Sequence, residues 1–96
     1  MAETGVGLPI RNHSDGPLEV VLEPFGRDYW LRPGESLVVH TAGRSDGESP
    51  WPGTLRGDEP FEVNYQPGSI QVYLNGAGGW VTDLDGADLE CGHQRP

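Results

Sequence analysis

Glycine and proline punctuate this chain so often that no run of ten residues is free of both. Proline removes a backbone donor and clashes inside a helix, and glycine loses the most backbone entropy on being ordered. A helix long enough to be held by one buried stripe therefore has no place here, whereas strands of five to seven residues fit between the breaks. The 15 Gly and 9 Pro are thus turn signals, and an all-β domain is the expectation.

The residues between the breaks alternate as strands do. Leu8 and Ile10 share one face, as do Leu18, Val20 and Leu22, then Tyr29 and Leu31, then Leu37 and Val39. Pro33-Gly34 separates the third and fourth of these runs. Further on, Phe61, Val63 and Tyr65 alternate with polar residues. Pro67-Gly68 then turns the chain into Ile70, Val72 and Leu74, which is the signature of a hairpin. A last strand is expected near Trp80–Leu84, and residues 85–96 read as a frayed acidic tail. These inward faces form the expected core. The expected architecture is one domain over 1–96: a small β-sandwich or barrel of six to seven antiparallel strands, immunoglobulin-like or cupredoxin-like. Residues 43–60 are the longest irregular stretch, and a loop of that length in a small domain is expected to be either mobile or functional.

Composition narrows the partners. The formal net charge is −9, and all six cations are arginines, a bias expected of a GC-rich bacterial genome. Such a field repels nucleic acid phosphates and anionic lipid, so neither is expected as a partner. The start, Met1-Ala2-Glu3-Thr4-Gly5, has neither the basic nor the apolar run of a secretion signal, and no stretch approaches the length of a membrane span. A cytoplasmic location is the expectation.

Chemistry-bearing clusters are sparse. Cys91 and His93, with His40 upstream, match a cupredoxin copper site in residue type alone. The Cys–His spacing is too short, Met1 is the one methionine, and Gln94 would have to serve as axial ligand. Leu31-Arg-Pro-Gly-Glu35 ahead of His40 is similar to the lead-in of a cupin metal motif, but Val38 stands where the second histidine belongs. Asp83, Asp85, Asp88 and Glu90 cluster, yet Gly86 and Glu90 fall at the wrong positions for an EF-hand loop. No metal and no cofactor are therefore expected. There is no Gly-x-Ser-x-Gly elbow, and nothing orients a catalytic dyad.

The most informative constellation is aromatic. If residues 18–23, 28–32 and 36–42 pair as a meander, Val21, Trp30 and either Val38 or His40 fall on one surface, rimmed by Glu19, Glu23, Asp28 and Arg32. An aromatic centre with a charged rim is the anatomy of a binding patch. Trp51, between Pro50 and Pro52 in the long loop, either covers Trp30 or adds a second handle, and Tyr73 belongs with the candidate binding residues. The leading reading is a non-catalytic binding module whose partner is another protein or a second copy. The alternatives are a small-ligand or metal-binding protein using His40, and a small enzyme or accessory protein of a bacterial biosynthetic pathway.

Residues 23–35, Glu-Pro-Phe-Gly-Arg-Asp-Tyr-Trp-Leu-Arg-Pro-Gly-Glu, resemble a pattern found in small, uncharacterised bacterial all-β proteins. That pattern runs Glu-Pro-aromatic-Gly, a tyrosine, then a Pro-Gly-Glu turn, following an early turn like Asn12–Gly16. The resemblance covers the first half of the chain. It implies an all-β fold and a bacterial source, and it carries no activity.

Overall fold

The computed structural model describes residues 5–42, 59–76 and 78–96. These contain seven strands: β1 (Gly5–Arg11), β2 (Leu18–Glu23), β3 (Arg27–Leu31), β4 (Ser36–Ala42), β5 (Phe61–Gln66), β6 (Ser69–Leu74) and β7 (Gly78–Thr82). No helix occurs among the described residues, so none is long and apolar enough to cross a membrane. The strands form a three-stranded sheet in the order β1-β4-β7 and a four-stranded sheet in the order β3-β2-β6-β5. The two sheets pack as a sandwich, as the alternation and turn signals imply.

Two features depart from the sequence expectation. The strands are not all antiparallel, because β2 and β6 run parallel with Val20 beside Ile70 and Leu22 beside Val72. The expected meander of 18–23, 28–32 and 36–42 is also broken. β2 and β3 do form a hairpin-like pair, but β4 lies in the opposite sheet between β1 and β7. Pro33-Gly34 makes that crossing. Gly34 has φ 84°, a left-handed conformation that costs a glycine little. β4 can be a central strand because both its faces are apolar, and β1 can be an edge strand because Pro9 there has no N–H to miss a neighbour.

The interior is the set of inward-facing residues. Val20, Leu22, Tyr29, Leu31, Leu37, Val39, Ile70, Val72, Leu74 and Val81 form one buried cluster, with Leu8, Ile10, Leu18, Phe61 and Leu89 packed at its margin. Val63 and Tyr65 were expected in it and are not: they are 49% and 76% exposed. Their side chains follow the core face, since Val63 pairs with Val72 and Tyr65 with Ile70. But β5 is the outermost strand of the wider sheet, four strands against the three of the sheet opposite.

One polar residue joins the parts. Asn12, 1% exposed, uses all four of its amide valences. Its Nδ2 donates to Gly16 O at 2.8 Å and Leu31 O at 2.9 Å, and its Oδ1 accepts from Ser14 N at 2.9 Å and Ser14 Oγ at 2.7 Å. Its own N–H donates to Glu35 O, while Gly34 N–H donates to Asn12 O. The Asn-bearing turn and the Pro-Gly-Glu turn of the resemblance are thus bonded to each other.

Candidate functional site

The C-terminal segment, expected to fray, instead lies against the sheets. Backbone bonds run from Trp30 N–H to His93 O and from Gly92 N–H to Asp28 O, so the segment follows the free edge of β3. A little upstream, Leu89 N–H donates to Val81 O and Asp88 bridges to Thr82, which covers part of the free edge of β7. Residues 88–95 therefore close one open side of the sandwich, from one sheet to the other.

Side chains fasten the closure. Arg95 grips Asp28 through two nitrogens at 2.5 and 2.8 Å, while the Trp30 indole N–H donates to the same carboxylate at 2.9 Å. The Arg95 bonds, followed by the Trp30 bond, hold the Asp28 carboxyl well below the usual carboxylate range. Gln94 Nε2 donates to Trp30 O at 3.0 Å and to Glu35 Oε1 at 2.7 Å, and its bond to Glu35 is the main cause of that carboxyl's lowered pKa.

Between this closure and the two strand edges lies a cleft of about 590 Å³. Arg27, Tyr29, Trp80, Val81 and residues Asp88 to Cys91 line it. Such a volume lies within the ~300–1,000 Å³ typical of small-molecule clefts. Trp80 is its exposed aromatic, 41% accessible. The ring is backed by His40 across the β4–β7 pair, with centroids 5.1 Å apart and planes within 6° of parallel. His40 Nε2 is in turn held to Thr82 Oγ1 at 2.9 Å. Gly78, on the face of Trp80, leaves the approach to the indole without a side chain, while Gly79 faces inward, where a Cβ would land on the Leu74 side chain. Arg27 reaches over from β3: its Nη1 donates to Gly79 O at 3.4 Å, and its guanidinium sits 5.2 Å from the Phe25 ring centroid. Burial pushes the Tyr29 phenol up, against the opposing pull of Arg27. The result is one fixed indole, one arginine and two carboxylates around a shallow volume, a set suited to binding a neutral ligand that has both an apolar face and hydroxyl groups.

The sequence-proposed residues divide between two surfaces. Trp30, Val21 and Tyr73 share the outer face of the four-stranded sheet, where Glu19 stands opposite Trp30 and Glu23 opposite Tyr73. All three are half-buried rather than free, and the Trp30 N–H is already spent on Asp28. Arg32 is exposed just beyond β3. His40 does not join them, because β4 carries it to the outer face of the other sheet. Trp51, and with it the question of whether that loop covers Trp30, lies outside the described residues. Of the metal-ligand types, His40 is engaged with Thr82 and Trp80, His93 bridges to Tyr29, and the exposed Cys91 points its thiol at Asp28 from 3.6 Å. Among the described residues no three His, Cys, Asp or Glu gather as a metal site would require. Trp80 itself was read from sequence only as the start of a strand. The signal that it shares a face with His40 lay in the β4–β7 register, which alternation alone does not supply.

No family model matches this chain, and neither does any solved structure. A 1,4-alpha-glucan branching enzyme of Methylococcus capsulatus is 32% identical over 81 residues. The match takes in 83% of this chain but 10% of that enzyme, so the chain spans about a tenth of the length of its relative.

Proposed function

We propose that this chain is a non-catalytic binding module that takes a neutral glucan chain in the cleft beside Trp80. The observation that carries the reading is the indole itself: exposed, set at the mouth of a cleft, and held in one orientation by the stacked His40. A sugar ring offers an axial C–H face to such a surface, and a preorganised ring loses little entropy on binding it. The equatorial hydroxyls then meet Arg27 as donor and Asp88 and Glu90 as acceptors. A partial likeness to an enzyme that works on α-glucan supports this ligand class over a charged one. The reading keeps the binding-module expectation but moves its centre from Trp30 to Trp80.

The test is calorimetric titration with maltoheptaose, together with affinity electrophoresis through glycogen. The native protein should bind, and Trp80→Ala should weaken binding by at least about tenfold, roughly 1.4 kcal/mol, with an unchanged melting temperature. Absence of binding to either glucan at millimolar concentration, or native-like binding by Trp80→Ala, overturns the proposal.

A further inference from the structure

Three of the four sheet edges are guarded. β3 and part of β7 are covered by residues 88–95, and β1 carries Pro9, which offers no N–H to an incoming strand. β5 is different. Among the described residues it has β6 on one side and nothing on the other, it holds no proline, and its one charge is Glu62. It also presents two side chains that follow the core face but have no core over them, Val63 and Tyr65. A bare strand edge beside an exposed apolar strip is the combination that sandwich proteins normally avoid.

We infer that β5 is a self-association edge: two copies pair antiparallel through it, joining their four-stranded sheets into one of eight strands. The strand's own sequence supports a second copy as the occupant. Antiparallel partners must keep like faces together, so a two-fold axis has to pass through a residue position rather than between two. With the axis at Asn64, Val63 meets Tyr65 and Glu62 meets Gln66. With the axis at Val63, Phe61 meets Tyr65 and Glu62 meets Asn64. In both, each glutamate faces a neutral amide and the exposed apolar residues face one another. For a chain of net charge −9, a seam that holds one carboxylate per copy and sets neither against the other keeps the electrostatic cost of bringing two copies together low. One short strand pair makes a small interface, so the association is weak and concentration-dependent.

Light scattering after size exclusion and sedimentation velocity, loaded from ~5 to ~500 µM, test this. The mass should rise from the 10.4 kDa of one chain toward twice that value. Val63→Glu with Tyr65→Glu sets like charges against each other in both registers and should hold the protein at one chain's mass throughout. Mixing it with the Val63→Lys, Tyr65→Lys variant should restore dimers. Should the double variant fail to fold by circular dichroism, Asn64→Glu serves instead. Its side chain is already in solvent, and it meets either Glu62 or its own copy. A native protein that stays monomeric over the whole range refutes the inference. So does association of the folded glutamate variants equal to that of the native protein.

Discussion

Replacing Asn12 with alanine tests whether one buried amide joins the Asn12–Gly16 and Pro33-Gly34-Glu35 turns or merely fills space. Its four side-chain bonds are not equal. Ser14 is exposed and Gly16 half-buried, so water can take over the three bonds made there, at a net loss of a few tenths of a kcal/mol each. Leu31 is 2% exposed, and its carbonyl would lose a bond and remain dry, which costs about 1–3 kcal/mol. The sum is about 2–4 kcal/mol against a total stability of about 5–14 kcal/mol for a domain of this size. Thermal melting followed by circular dichroism should therefore show Tm lower by about 10–25 °C. Asn12→Asp sharpens the test, because it keeps the shape and the acceptor for Ser14. It turns an oxygen toward the Gly16 and Leu31 carbonyls, and it should be no more stable than the alanine variant. An alanine variant within about 0.5 kcal/mol of the native protein, or an aspartate variant close to native, would refute the reasoning.

Three further outcomes follow from the packing and the C-terminal closure. Leu22→Ala, at a side chain with no exposure in the centre of the four-stranded sheet, should cost about 2–5 kcal/mol in a urea titration with an unchanged m value. Asp28→Asn should loosen residues 92–95 without unfolding the sandwich, seen as faster amide exchange at Trp30 and Gly92 and normal protection at Val39. Because the folded Asp28 carboxyl titrates below its ordinary range, the stability it contributes is present above pH ~4 and is lost as pH falls through its depressed value. The gap between native and Asp28→Asn proteins should thus close in acid, while Glu35, whose carboxyl is also lowered, adds to the acid loss of each protein rather than to the gap.

Alternation along a strand reports which side chains share a face, and that much was legible: Val20 and Leu22, Tyr29 and Leu31, and Val72 and Leu74 point inward as read. It does not report which strand lies next door. The placement of β4 in the opposite sheet and the parallel pairing of β2 with β6 were hidden for that reason, and the Trp80–His40 stack was hidden with them. Val63 and Tyr65 carry the core pattern and still lie in solvent, because exposure at a sheet margin depends on the width of the sheet opposite. The C-terminal segment misled in the other direction. Its composition is that of a solvated tail, but backbone bonds to β3 and an arginine on Asp28 need no apolar residues beyond Leu89.

The parallel pairing of β2 and β6 also bears on how fast this fold can form. A parallel neighbour cannot be reached by a tight turn, so Val20 waits for Ile70 until β3, β4, the intervening chain and β5 have all been synthesised and placed. Local hairpins such as β5–β6 can close in microseconds. The central seam of the wide sheet instead closes a loop about half the chain long, and the entropy of that closure comes before any contact offsets it. Folding should accordingly run on the millisecond-to-second scale of sandwich domains, with its barrier at the docking of the β5–β6 hairpin onto β2.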